Sequence, residues 1–299
     1  MDIGYEELFS KSKVFIDKAI IRRDEGDFDE FQLWASVSLE LLGKATLAFI
    51  HPSLVVDPNK PKGFLVACGY VDSKDLRTEE FKTIAAKTVF ERLNNAINVP
   101  KFNSNMKDFC MTLANRRNAE LHSASIPFTG VDMEAWLPRF WEVCQILLEF
   151  QGKALIDFLG SDEGERASTL IHDKTQYLKG LIEARLSRHK EMYSQEHGDQ
   201  DRREIIYELN ESEIMATCPS CGNEGILDGE AIDREYKGTD PDNPWINYFN
   251  EVYEVTNFRC SYCLLKLTGY NEIEFAGMET EFIKEVEDYP DYEPDYGND

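Results

Sequence analysis

The sequence has little positive charge, few histidines and no long stretch of uncharged apolar residues. Its 299 residues include 32 Lys and Arg against 56 Asp and Glu, which gives a formal net charge of −24. This balance excludes a broadly basic surface of the kind that binds nucleic acid indiscriminately. Because no uncharged apolar run reaches about 18 residues, we expect no membrane span. The first residues lack the basic start and apolar stretch of a secretory signal, so we expect a cytoplasmic protein.

Cysteine is also scarce, with seven in the chain. This number agrees with a reducing compartment and does not suggest a disulfide scaffold. Three of them, Cys68, Cys110 and Cys144, are isolated in the sequence, and we interpret them as buried apolar residues. The other four form two tight pairs, which indicates a different role.

The negative charge is concentrated in the second half of the chain. Residues 1–150 carry 18 Lys and Arg against 22 Asp and Glu, whereas residues 151–299 carry 14 against 34. A strongly acidic surface repels nucleic acid at long range. A surface that contacts RNA is therefore expected in the first half.

Apolar residues recur at three- and four-residue steps in the first 160 residues, which predicts helices. Asp27 suits the N-terminus of one of these helices, and Pro52 suits its end. The predicted helices are 5–23, 27–52, 78–97, 103–122 and 131–160, and the proline-rich residues 52–63 are a predicted loop. Short connections between the helices favour an antiparallel bundle over residues 1–160.

The composition changes in the second half. Residues 161–168 are polar and are interpreted as a hinge, at the start of a charged helical linker that covers 161–212. Glycine, aromatic and β-branched residues then favour strands, which predicts a small β domain over 213–286. Residues 287–299 contain no aliphatic side chain, and we expect an acidic disordered tail. The predicted fold class is therefore mainly α, with a helical bundle, a charged helical linker and a small β domain.

Two C-x-x-C pairs, Cys218 with Cys221 and Cys260 with Cys263, have the spacing of metal-binding knuckles. The two thiolates of one pair can bind the same tetrahedral Zn²⁺ at about 2.3 Å. The second pair then completes a closed S₄ site around that ion, without an open position for substrate. We therefore predict a zinc ribbon with structural Zn²⁺. A redox role is less favoured, because the βαβ context of a thioredoxin is missing. The 38 residues between the pairs predict an inserted loop at 228–250.

A second group of chemically active residues lies in the segment RRNAELHSA, residues 116–124. At about 100° per residue, Asn118 and His122 fall about 40° apart on a helix, whereas Arg117 lies about 140° from His122. An imidazole can move the proton of a ribose 2′-hydroxyl, and a guanidinium can hold a phosphate. The alternative is a charged surface cluster, and spacing alone does not exclude it. Arg117 would reach the histidine through local loosening of the helix or across a dimer.

The order of these motifs resembles the HEPN family over about residues 5–160. In that family a helix with the pattern L-E-L-x-x-K-A precedes a helix that carries R-x(4–6)-H. The matching positions are Leu39, Glu40, Leu41, Lys44 and Ala45, followed by Arg117, Asn118 and His122. Arg116 also satisfies the spacing, but the family pattern expects a polar residue directly after the arginine, which favours Arg117.

The resemblance implies a metal-independent endoribonuclease of antiviral defence or of a toxin–antitoxin system. It implies catalytic roles for Arg117, Asn118 and His122, in a cleft shared by two copies of the chain. Glu40 either faces the same pocket or forms a surface pair with Lys44. Further cations that could bind RNA are Arg116, Lys101 and Lys107. The implied partners are RNA, a second copy and an antitoxin or regulatory protein.

Two other functions remain open. One is a non-catalytic HEPN scaffold whose zinc ribbon mediates protein contacts, with Arg117 and His122 in structural roles. The other is a transcription-linked zinc-ribbon protein, which is disfavoured because residues 211–299 are strongly acidic. The remaining histidines suggest no site: His51 suits a helix end, and His172, His189 and His197 are expected to be solvated.

Overall fold

A computed structural model describes residues 3–72, 82–97, 99–197, 208–241, 243 and 245–288. The chain divides into two compact units, Met1–Thr175 and Gln176–Asp299. The first unit is helical, and the second contains an antiparallel sheet. The predicted order, a helical part followed by a small β domain, is confirmed.

The helices of the first part follow one another with short connections. They are α1 (Tyr5–Asp24), α2 (Phe28–Ile50), α3 (Pro61–Ala67), α4 (Ala86–Glu91), α5 (Ser104–His122), α6 (Met133–Phe150), α7 (Leu155–Leu159) and α8 (Ser161–His197). A 3₁₀ turn, Pro52–Val55, follows α2, and a π-helical turn, Arg92–Ala96, continues α4. The predicted helices at α1, α2 and α5 are confirmed to within two residues at each end.

α2 is the central helix of this unit. Asp27 caps it by accepting a hydrogen bond from the Glu30 amide at 2.9 Å, as expected for an N-cap aspartate. The Ser12 and Ser38 hydroxyl oxygens lie 3.0 Å apart and join α1 to α2 in the interior. α2 is long and apolar enough to cross a membrane by length and composition, but 61% of its most apolar stretch is buried. The core helix of a soluble protein passes the same test.

Four predicted segments differ from the observed ones. The helix predicted over 131–160 ends at Phe150, because Gly152 adopts φ +70° and closes α6 before α7 begins. Residues 161–168 are the first turns of α8 and not a hinge. The loop predicted at 52–63 contains the 3₁₀ turn and the start of α3. The helix predicted at 78–97 is observed from Ala86 onward, and residues 73–81 lie outside the described residues.

The second unit contains the strands β1 (Glu213–Thr217), β2 (Glu224–Thr239), β3 (Asn247–Arg259), β4 (Lys266–Thr268) and β5 (Glu281–Asp288), with a short helix α9 (Tyr270–Phe275). All pairings are antiparallel, in the order β1-β2-β3-β4. β5 pairs with the first part of β3, and β4 pairs with its last three residues.

The prediction of an inserted loop at 228–250 is wrong. Most of this segment is a long hairpin of β2 and β3, and its turn lies around residues 240–246. Beyond Glu230 most of the β2 side chains are exposed, so the alternation of apolar and polar residues that identifies a half-buried strand is missing. The charged composition therefore resembled that of a loop.

Two further expectations concern smaller features. Cys68 is exposed and not buried, whereas Cys110 and Cys144 are buried as expected. The first two residues of the predicted tail 287–299 form the end of β5. Residues 289–299, and residues 198–207 of the predicted linker, lie outside the described residues.

Candidate functional site

Glu40 on α2 connects the two helices that carry the HEPN-like motifs. Its Oε1 accepts a hydrogen bond from Lys44 Nζ at 2.7 Å, and its Oε2 accepts one from Arg117 Nη1 on α5. Lys44 Nζ also donates to Thr83 Oγ1 at 3.1 Å. The three charged side chains are only 9–16% exposed. The Glu40–Lys44 pair therefore exists, but it belongs to a largely buried network and is not a surface pair.

This network carries two cations for one carboxylate. Burial would raise the pKa of Glu40, but the nearby Lys44 ammonium and the Arg117 guanidinium outweigh it and lower this pKa. Glu40 is therefore ionised at neutral pH, and the cluster of Glu40, Lys44 and Arg117 has a net charge of +1. A net positive cluster of this kind attracts an anionic group such as phosphate.

Asn118 and His122 lie on the solvent side of the same helix. Asn118 Oδ1 accepts a hydrogen bond from Arg117 Nη2 at 3.0 Å, so Arg117 links Glu40 to Asn118. His122 is exposed and has no hydrogen-bond partner among the described residues. It is thus free to approach a substrate or a second copy of the chain.

α5 remains helical as far as His122. Asn103 caps its start by accepting from the Met106 amide at 3.1 Å, and Ser123 is extended, with φ −131°. Because α5 is regular between Arg117 and His122, the loosening that would bring these two side chains together within one copy is not observed.

The additional cations do not share one surface with this network. Lys101 is exposed and lies 3.7 Å from Glu149 Oε2. Lys107 lines a cavity beside the π-helical turn together with Arg92. Arg116 lines a different cavity, which shares only Asp108 with the first.

The four predicted metal ligands are brought together in the second unit. The sulfurs of Cys218, Cys221, Cys260 and Cys263 all lie within 4.8 Å of one another. The Cys218–Cys263 and Cys221–Cys260 sulfurs are each 3.6 Å apart. A tetrahedral site with metal–sulfur bonds of about 2.3 Å has sulfur–sulfur edges of about 3.8 Å. The donor set and its geometry therefore fit a closed four-thiolate metal site, as predicted for Zn²⁺.

The backbone around each cysteine pair forms a tight turn. The Gly222 amide donates to the Cys218 carbonyl at 3.0 Å, and the Cys260 amide donates to the Leu265 carbonyl at 2.9 Å. A hydrogen bond from the Cys218 thiol lowers the pKa of Cys260 to about 5. The pKa of Cys218 is raised in turn, as expected when two sulfurs share one proton. Burial raises the pKa of Cys263 as well, so a metal that binds all four sulfurs has to displace protons from this site.

Part of α8 packs against both cysteine pairs. His189 Nδ1 lies 2.7 Å from the Cys263 carbonyl oxygen, and Ser220 Oγ donates to the Leu186 carbonyl at 2.8 Å. Arg185 forms an ion pair of 2.7 Å with Glu272 on α9. His189 is thus not simply solvated, contrary to expectation. A local sequence pattern does not indicate this role, because the partner carbonyl is 74 residues away.

The other histidines agree with their predicted roles where the structure describes them. His51 ends α2 and accepts a hydrogen bond from the Ser53 amide at 3.2 Å. His172 is exposed on α8. The side chain of His197 lies outside the described part of the chain.

Comparison with known protein families, with curated proteins and with solved structures gave no match for this chain. The resemblance to HEPN domains therefore rests on the motif residues alone. The structure adds that two of these residues, Glu40 and Arg117, are in contact.

Proposed function

We propose that this chain is a HEPN-type endoribonuclease that cleaves RNA by attack of a ribose 2′-hydroxyl on the adjacent phosphate. The observation that carries the proposal is the largely buried contact between Glu40 and Arg117. It joins the helix with the L-E-L-x-x-K-A pattern to the helix with the R-x₄-H pattern, at the two positions where the resemblance implies function. A chance surface cluster would not require this contact.

The residues supply the two things that this reaction needs. One imidazole takes the proton of the 2′-hydroxyl as its oxygen bonds to phosphorus, and an imidazolium gives a proton to the departing 5′-oxygen. The bond from phosphorus to the 5′-oxygen breaks, and a 2′,3′-cyclic phosphate remains. Arg117 stabilises the developing charge on the phosphate, and Glu40 and Asn118 hold the guanidinium in place. All steps use protein groups and RNA alone.

The reaction needs two histidines or one histidine acting twice, and each copy provides only one at this site. Exposed apolar side chains flank His122: Leu121 is 57% exposed and Ile126 is 70% exposed. A second copy that covers these residues would bring two His122 side chains to one groove. We therefore infer a homodimer with a shared active site.

The proposal assigns a structural role to the second unit. A four-thiolate site holds Zn²⁺ without an open position, so the metal stabilises the small domain and leaves catalysis to the first unit. The acidic second half limits unselective RNA binding through charge repulsion. An antitoxin or regulatory protein would restrain the nuclease in the cell.

The direct test replaces His122 by alanine in the full chain. Because loss of a general acid or base costs about 10²–10⁴-fold in rate, we expect cleavage of single-stranded RNA to fall at least about 100-fold. His172→Ala is the matched control, since His172 is also exposed on a helix of the first unit, and it should cleave at the rate of the wild type. Circular dichroism checks that both variants are folded. Equal cleavage by wild type and His122→Ala would refute the assignment.

A non-catalytic scaffold is the second candidate. It is favoured by the fact that Arg117 already donates to Glu40 and to Asn118 within one copy, which suits a residue that fastens α5 to α2. In that case wild-type protein leaves RNA intact, and Arg117→Ala lowers the stability of the helical unit.

A further inference from the structure

A cavity of about 420 Å³ lies between α5 and the first turns of α6. Its volume falls within the range of about 300–1,000 Å³ that is usual for small-ligand sites. Phe109, Leu113 and Arg116 face it from α5, at the three- and four-residue spacing of one helix face. Trp136 and Arg139 face it from α6. The cavity thus combines an apolar aromatic wall with two guanidinium groups.

Arg139 is held in a fixed position at this cavity. Its Nη2 donates to the carbonyl oxygen of Asn105 at 2.9 Å and to the side-chain oxygen of Asn105 at 2.6 Å. Its guanidinium lies 4.7 Å from the centre of the Phe109 ring. Burial lowers the pKa of Arg139, yet the group stays charged at neutral pH because arginine starts from a value near 12.5.

Neither Arg116 nor Arg139 forms an ion pair within the part of the chain that the structure describes. Asp108 and Glu142 lie near enough to Arg139 to raise its pKa by charge attraction, but among the described residues no ion pair joins either of them to its guanidinium. Two guanidiniums at one cavity are suited to bind the oxygens of a phosphate.

Trp136 is part of the aromatic wall of the cavity and is held in place by the core. It is 5% exposed, and its ring stacks on Phe140 with ring centres 4.7 Å apart and lies 6.0 Å from the Phe109 ring. A rigid aromatic side chain of this kind offers a surface against which a base can stack.

We propose that this cavity binds one nucleotide of the RNA substrate, with the base against the aromatic wall and the phosphate at Arg116 and Arg139. The inference rests on the proposed nuclease function. Arg116 lies six positions before His122, which is about 9 Å along the axis of α5. Along the helix the cavity is therefore within two turns of His122, and its lining includes neither Arg117 nor Glu40. RNA-binding proteins commonly place unstacked bases against aromatic and guanidinium planes.

Two aspartates indicate how the nucleotide is oriented. Asp108 and Asp132 also line the cavity, and Asp132 Oδ1 accepts from the Glu134 amide at 3.0 Å. Carboxylates repel the phosphate but accept hydrogen bonds from the amino group of a base. Adenine carries such a group, which makes a short oligoadenylate a suitable probe.

The test measures binding of a fluorescein-labelled tetra-adenylate by anisotropy, in full-length His122→Ala protein so that the RNA stays intact. Adding Arg116→Gln removes a charge-assisted contact and should weaken binding at least about tenfold. Adding Ala135→Leu fills the cavity from an exposed helical position without a change in charge, and it should weaken binding as well. Arg166→Gln, at an arginine that is 70% exposed on α8, is the control and should change affinity less than about twofold.

Parent-like affinity in both Arg116→Gln and Ala135→Leu would overturn the inference. This failure is distinguishable from failure of the nuclease proposal. If wild-type protein cleaves RNA and the two cavity variants cleave and bind normally, the cavity assignment fails and the nuclease stands. If wild-type protein leaves RNA intact while both variants lose affinity, the nuclease proposal fails and the cavity is a nucleotide site.

Discussion

Glu40 is the residue on which the candidate site depends. It receives hydrogen bonds from one cation on its own helix and from one on α5. Removing the carboxylate would leave Lys44 and Arg117 close together and largely buried without a counter-charge, which is costly. The same residue therefore links the fold of the helical unit to the position of Arg117.

Glu40→Gln should lower the free energy of unfolding at pH 7 by about 2–4 kcal/mol. The pKa of Glu40 is lowered in the folded state, so its ionised form stabilises the fold above its ordinary value of 4.5. This stabilisation is lost as the pH falls through the lowered pKa. The difference in the free energy of unfolding between wild type and variant should therefore have its full size at pH 7 and shrink below about pH 4.5. Urea denaturation followed by circular dichroism at several pH values measures it.

Glu91→Gln is the matched control for this prediction. Glu91 forms an i,i+4 pair of 3.6 Å with Lys87, and both side chains are well exposed. Such pairs contribute about 0.3–0.5 kcal/mol, so this variant should be nearly as stable as wild type at every pH. A Glu40→Gln protein with the stability of the control would show that the network contributes little.

At the scale of elements, α8 contains residues from both units. Its last part contacts the cysteine cluster through His189 and Leu186, and Tyr193 packs against the core of the second unit. An isolated charged helix of this kind has little reason to be stable on its own. We therefore expect the helical structure of the last part of α8 to depend on the metal site.

Removing two ligands through Cys260→Ser with Cys263→Ser should abolish the metal site and unfold the end of α8. Hydrogen exchange should show loss of amide protection over residues 182–193, while α2 stays protected. Cys68→Ser, at an exposed cysteine, is the control and should leave exchange unchanged. Persistent protection over 182–193 in the double variant would contradict the coupling.

Elements with a strong periodic pattern were predictable from the sequence. α2 and α5 combine apolar spacing with side-chain caps at Asp27 and Asn103, and the cysteine spacing alone indicated the metal ligands. The hairpin at 228–250 was not predictable, because exposed faces carry no apolar period. The start of α8 resembled a hinge because it contains Gly164. This glycine instead allows close approach, since a Cβ atom there would lie 2.8 Å from the backbone of Ile156.

The site itself was only partly predictable. The motif pattern identified Glu40, Arg117 and His122, but spacing did not show that Glu40 and Arg117 are partners across 77 residues. The cavity at Arg116 and Arg139 depends on the packing of α5 against α6 and has no local sequence signal. Contacts between distant residues require the tertiary structure.

At the scale of the molecule, charge separates the two halves of the chain. The first half is nearly neutral, and it contains the net positive cluster and both arginines of the cavity, whereas the second half holds most of the −24 charge. RNA would therefore be directed to the helical unit and repelled elsewhere. In the proposed function the four-cysteine site serves the fold of the acidic unit and not the recognition of RNA.

The central claim is that the chain cleaves RNA by attack of the 2′-hydroxyl, with His122 transferring protons. The most direct measurement is mass spectrometry of the RNA ends after incubation with wild type and with His122→Ala in magnesium-free buffer. We expect 2′,3′-cyclic phosphate and 5′-hydroxyl ends with wild type, and intact RNA with the variant. Intact RNA with wild type, or 3′-hydroxyl and 5′-phosphate ends, would contradict it.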